Sequence, residues 1–101
     1  MRDSLREKEV QTVRKLGEKV YSKYFNAYLL NADKNGLAVA ISKKVGPAVV
    51  RNRIKRRIRE CYRKIIKNRF DLQILFYPNI SVIKVKFEDL MASVNVVLGQ
   101  K

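Results

Sequence analysis

Histidine is missing from the sequence. Its absence removes the side chain used most for general acid–base work near neutral pH. The Ser-His and Cys-His nucleophile pairs and most zinc patterns go with it. One cysteine, Cys61, is too few for an internal disulfide. Acids number nine and are scattered; only Glu88 and Asp89 are adjacent. Consecutive helical residues do not face each other, so that pair reads as solvated surface rather than a metal site. No catalytic residue and no metal ligand are expected in this chain. No run approaches the roughly 20 apolar residues of a spanning helix. The opening MRDSLREKEV lacks the apolar centre of a secretion signal. The expectation is a cytoplasmic protein with no membrane partner.

What is present is positive charge. Lysine and arginine number 23, giving a formal net charge of +14 and a pI near 10.3. A compact domain so charged repels itself, and a polyanion relieves the repulsion, nucleic acid being the commonest. Hydrophobic residues make up 47% of the chain, enough for a core that a disordered basic tail would lack. A length of 101 residues suits a single domain, 1–101.

Ser4-Leu5-Arg6-Glu7 fits a capping box, and a helix is predicted from it to Leu16, with Gly17 as its stop. The stretch 20–31, rich in Tyr, Phe and Leu, predicts one strand or two short ones. Ala32 to Gly36 is a turn, with Asn35-Gly36 as a hairpin signal. Leu37 to Ser42 is the next strand, followed by a basic loop, Lys43 to Pro47, with proline placed to start a helix. That helix is predicted over 48–67, on the stripe Val50, Ile54, Ile58, Cys61, Tyr62 and Ile65. A third strand covers 70–77, and a last helix covers 87–98. Strand–helix–strand implies a parallel pair. The order α-β-β-α-β-α predicts an α+β fold, a two-layer sandwich with a small mixed sheet.

Residues 43–69 hold 12 of the 23 basic residues and a single acid, Glu60. At about 100° per residue, Ile54, Ile58 and Ile65 fall within about 40° of one another. Asn52, Arg56, Arg59 and Arg63 fall opposite them, within about 60°. Lys55 and Lys67 border that arc, and Arg53, Arg57 and Lys64 line a flank. Arginine suits a phosphate grip because its planar fork pairs with two oxygens at once and stays charged. The free backbone donors at the helix start, with Lys43 and Lys44 beside them, favour phosphate at the same end. A merely solubilising face would mix Glu with Lys in i,i+4 pairs. A membrane-surface helix would carry bulkier apolar residues than Ile, Cys and Tyr. A DNA reader would show base-reading side chains at a recognition helix and signs of a dimer, so no DNA partner is expected. Five tyrosines and four phenylalanines add stacking capacity for unpaired bases, about half of them being expected in the core.

The segment Ser42-Lys43-Lys44-Val45-Gly46-Pro47-Ala48-Val49-Val50-Arg51-Asn52-Arg53-Ile54-Lys55-Arg56-Arg57-Ile58-Arg59-Glu60 closely resembles the signature of the bacterial ribonuclease P protein component. That motif reads like S-K-K-x-G-x-A-V-x-R-N-x-x-K-R-x-I-R-E. The resemblance extends over nearly the whole chain. It implies an accessory subunit of an endoribonuclease: a protein that joins a catalytic RNA and helps it cut the 5′ leader from precursor tRNA. The active site and its Mg2+ would lie in the RNA. Arg51, Asn52, Arg53, Lys55, Arg56 and Arg59 would meet the catalytic RNA, with Lys43, Lys44 and Arg63 beside them. A cleft between the first helix and the sheet would take the single-stranded leader, at Val10, Arg14 and Tyr28. Relatives commonly carry phenylalanine at the positions of Val10 and Arg14, so this chain departs there; Arg14 could meet leader phosphate instead. Tyr77-Pro78 stands where relatives often have Arg-Pro, and Pro47 where many have Asn. The resemblance also implies a left-handed βαβ crossover, against a general rule that gives the right hand in about 98% of cases. The alternative function is a structural, ribosomal-type RNA-binding protein, which would not need a fixed asparagine inside the arginine stripe.

Overall fold

In the computed structural model, residues 4–65 and 71–99 are described. Three helices, α1 (Glu7–Leu16), α2 (Ala48–Ile65) and α3 (Phe87–Gly99), combine with strands β1 (Glu18–Tyr21), β2 (Phe25–Asn31), β3 (Gly36–Val39) and β4 (Leu72–Pro78). Short 3₁₀ turns occupy Lys43–Val45 and Ile80–Ile83. The class is the expected α+β. The aromatic stretch divides into two strands, turning at Ser22–Tyr24, where Ser22 N–H donates to the Phe25 carbonyl at 2.8 Å. Lys67 and Phe70, the predicted end of the long helix and start of the last strand, lie outside the described residues.

Sheet order is β1-β2-β4-β3. β2 runs antiparallel to β1 and to β4, and β3 runs parallel to β4. This corrects the hairpin expected at Asn35-Gly36: β2 and β3 do not pair, because β4 lies between them. Residues 32–35 carry the chain past the start of β4. Ala32 N–H donates to the Asp71 carbonyl at 2.7 Å, and Asn35 Oδ1 accepts from Leu72 N–H at 3.0 Å. Neither Asn35 nor Gly36 takes the left-handed φ that the primed hairpin turn needs, so the turn that Asn-Gly signals is not made.

Alternation along the strands sorts the sheet's two faces. Phe25, Ala27 and Leu29 of β2, Leu72, Ile74 and Phe76 of β4, and Leu37 of β3 point one way. They form one core with Ile54, Ile58, Cys61 and Tyr62 of α2 and Leu90, Val94, Val97 and Leu98 of α3. Phe25 and Phe76 meet edge to face at 5.0 Å between centroids. The apolar stripe of α2 is therefore buried as its spacing predicted, and the opposite stripe is turned outward.

α1 lies on the other face, packing over β2 and β4. Val13 and Leu75 are fully buried there, apart from the main core. Two details of α1 differ from expectation. The helix begins one residue after Arg6, whose N–H donates to the Glu9 carboxylate at 2.9 Å, so Glu9 and not Glu7 is the capping acid. That bond, ahead of the nearby Lys34, holds the Glu9 carboxyl below the usual range. Ser4 instead bridges to Leu37, and Leu5 N–H donates to the Leu37 carbonyl at 2.9 Å. Gly17 does end the helix, but with extended backbone (φ −75°, ψ 159°) rather than a left-handed cap.

Candidate nucleic-acid interface

α2 has eighteen residues, about five turns. With one side committed to the core, the remaining positions must face out. Asn52, Arg56 and Arg63 are exposed, and Lys55 and Arg59 half-buried. These five, with Glu60, line a single open depression along the helix. Arg53 joins Asn52, Arg56 and Val49 around an adjoining one. The expected arc is thus brought together, and Glu60 is the one acid within it. Lys43 and Lys44 are exposed in the 3₁₀ turn just before α2. Ser42 Oγ accepts from Lys44 N–H at 3.1 Å and fixes that turn.

Two arginines behave differently from the rest. Arg51 does not line the depression; its Nε donates to the Gly46 carbonyl at 3.1 Å and pins the Gly46-Pro47 turn to the first turn of α2. Arg57, expected on the basic flank, is half-buried and donates from Nη2 to the Val85 carbonyl, tying α2 to the segment before α3. On the same flank, Lys64 sits over the Phe87 ring, 5.4 Å from its centroid. Helical periodicity fixes which side a residue occupies but not which of its donors bond within the protein.

A second cluster forms on the sheet face that carries α1. Arg14, exposed in the last turn of α1, donates from Nε to the Tyr77 hydroxyl at 2.7 Å, and its guanidinium carbon lies 5.7 Å from that ring's centroid. Tyr77 meets Tyr28 edge to face at 5.8 Å. Lys19 Nζ stands 5.6 Å from the Tyr28 centroid and 5.2 Å from that of Tyr21. Those two neighbours, Tyr21 first, push the Lys19 ammonium up from its usual range. Arg14 and Tyr28 are therefore brought together as expected, through Tyr77. Val10, half-buried, lies one turn before Arg14 on the same side of α1. Lys19 and Tyr77 were not foreseen in this cluster. The available signal was alternation: Lys19 and Tyr21 flank buried Val20, and Tyr77 follows buried Phe76.

Cys61 is fully buried, and burial pushes its thiol up from the ordinary value. Among the described residues no three His, Cys, Asp or Glu side chains gather to hold a metal ion. None of the described helices is long and apolar enough to cross a membrane.

The model of the ribonuclease P family matches residues 3–101. The chain belongs to the ribonuclease P protein family. Among curated members it is 31% identical over 93 residues to the ribonuclease P protein component of Clostridioides difficile (strain 630), covering 88% of this chain and 82% of that one. It is 35% identical over 94 residues to that of Rickettsia prowazekii (strain Madrid E), covering 83% and 77%. Its fold matches a Staphylococcus aureus RNase P protein mutant with defective mRNA degradation activity, with a TM-score of 0.84 at 28% identity over 97% of this chain and 86% of that chain. The Thermotoga maritima RNase P protein shares the fold, with a TM-score of 0.85 at 22% identity over 97% and 96% of the two chains. Family membership ties the chain to an endoribonuclease complex of tRNA processing and makes the ribonuclease P RNA its partner.

Proposed function

We propose that this chain is the protein subunit of the ribonuclease P ribonucleoprotein, and that it binds two RNA segments on two surfaces. The outer side of α2 grips the catalytic RNA, and the α1 face of the sheet holds the 5′ leader of precursor tRNA. The observation that carries this reading is the depression lined by Asn52, Lys55, Arg56, Arg59 and Arg63 on a helix whose other side is core. Each guanidinium there can take two phosphate oxygens, and the rigid helix fixes their spacing. Asn52 adds a neutral donor and acceptor able to read a base edge or a 2′-hydroxyl. Lys43, Lys44, Arg53 and the start of α2 add positive potential at one end.

On the other surface, the Tyr77 hydroxyl occupies Arg14 Nε. The two terminal nitrogens of the guanidinium then remain for a phosphate. Tyr28 presents a ring beside it for a base. Hydrolysis of the precursor's phosphodiester needs acid–base or metal chemistry. The chain has no histidine, and among its described residues no three His, Cys, Asp or Glu side chains gather. The proposal therefore assigns the holoenzyme's magnesium and its active site to the RNA. The protein's part is to raise affinity and to orient the substrate, in the cytoplasm.

Binding to the catalytic RNA, followed across salt concentration, tests the grip. Released counterions make log affinity fall linearly with log salt, and a slope of several units is expected. Affinity that hardly changes between low and moderate salt defeats the proposal.

A further inference from the structure

The open face of the sheet extends past Arg14, Tyr77 and Tyr28 to the edge strand. Strand register arranges its side chains in two crossing rows. Lys19 stands opposite Tyr28, and Tyr28 opposite Leu75. Tyr21 stands opposite Asn26, and Asn26 opposite Tyr77. Tyr21 and Tyr77 are thus two strand spacings apart, about 10 Å. Tyr21 is 68% exposed, among the most exposed large apolar side chains described. The same Lys19 ammonium lies over its ring and that of Tyr28. Glu18, the acid of this strand, alternates to the other face. Along one face, then, run Arg14, Tyr77, Tyr28, Lys19 and Tyr21, with cations set between rings. Single-stranded nucleic acid fits such a surface: bases stack on the rings and phosphates meet the cations, without need of a fixed sequence.

We propose that Lys19 and Tyr21 of β1 continue the single-strand site, taking a further base and phosphate of the RNA strand beyond the part held at Arg14 and Tyr28. This rests on the leader-binding reading above and adds to it a length requirement. A leader that ends near Tyr28 leaves Tyr21 empty, whereas a longer one reaches it.

The test uses the full chain assembled with a bacterial ribonuclease P RNA and precursor tRNAs whose leaders increase one nucleotide at a time. Affinity is measured for the native protein and for Tyr21→Ala, Tyr21→Phe, Lys19→Gln and Arg14→Gln, each checked by thermal melting. The native complex should gain affinity with leader length and then level off. Tyr21→Ala should lose about fivefold or more on long leaders, the lower end of what one stacked base contributes, and the loss should shrink as the leader shortens. Tyr21→Phe should bind like the native protein, since the ring suffices. Lys19→Gln should lower affinity on long leaders and flatten its salt dependence. If Tyr21→Ala matches the native protein at every length while Arg14→Gln weakens binding, the extension is wrong and the leader site stands. If Tyr21→Ala weakens binding equally for leaderless tRNA, the extension is also wrong. If leader length changes nothing for the native complex, the leader-binding reading itself falls.

Discussion

Gly17 owes its place to crowding rather than to backbone freedom. A Cβ there would press on the Val13 carbonyl oxygen and stand 2.9 Å from that of Leu29. Both obstacles are backbone, so neither can swing aside. Gly17→Ala should therefore lower the melting temperature and loosen α1 from the sheet. A variant as stable as the native protein would show that the helix end shifts freely. Ile58 and Arg56 make a sharper pair, since they lie on opposite sides of one helix. Ile58 is fully buried, and Ile58→Ala should cost about 2–5 kcal/mol, a fall of about 10 °C or more for a domain this size. Arg56→Ala should leave melting nearly unchanged, weaken RNA binding and reduce the salt slope by about one. Reversed outcomes would mean that the two faces of α2 are misassigned. Cys61 gives a pH prediction. Its thiol is pushed up in the folded state, so the unfolded chain loses the proton first. The stabilisation is complete below the unfolded thiol's value of about 8.5 and is lost as pH rises through the higher folded one. Alkaline melts should show a decline above that point, smaller in Cys61→Ala relative to its own neutral-pH stability.

At the scale of elements, α2 was the most legible part. Its apolar residues repeat at helical spacing over five turns, and its charges are nearly all of one sign. α3, expected over 87–98, is observed at Phe87–Gly99. The sheet was less legible. Asn35-Gly36 is a local signal for a hairpin, but pairing is decided by what fills the space beside β2. β4, apolar on both faces through Leu72, Ile74, Leu75 and Phe76, gains more by lying centrally than β3 would, and it displaces β3 to the edge. No local pattern encodes that competition. The same limit applies to the arginines. Periodicity put Arg57 on a basic flank, but its partner is the Val85 carbonyl, twenty-eight residues away. On the α1 face of the sheet, Arg14 and Tyr28 were named from a family resemblance, but their link through Tyr77 joins three separate elements. Tyr77→Phe keeps the ring and removes the hydroxyl that holds Arg14 Nε. It should weaken binding of leader-bearing RNA, and in an Arg14→Gln background it should have little further effect. Additive losses in that double-mutant cycle would show that the two side chains act separately.

The whole molecule measures about 34 × 26 × 24 Å, and α2 is about 27 Å long at 1.5 Å per residue. The helix therefore spans the width of the protein, and the stripe from Asn52 to Arg63 covers about 17 Å of it. The sheet lies behind it, and α1 with Tyr21, Tyr28 and Tyr77 lies on the sheet's far side. On the proposed function, a body with RNA grips on opposite sides would join two RNAs at once, as an accessory subunit of an RNA enzyme must do. Charge agrees with this: +14 on such a body is relieved when RNA covers both sides. The most direct test is cleavage of precursor tRNA by a bacterial ribonuclease P RNA at moderate magnesium, with and without this protein. The account predicts clear stimulation by the protein, none of it retained when Arg56, Arg59 and Arg63 are all replaced by alanine, and no cleavage by the protein alone. Salt-sensitive RNA binding without stimulation would contradict it and leave a structural RNA-binding protein in its place.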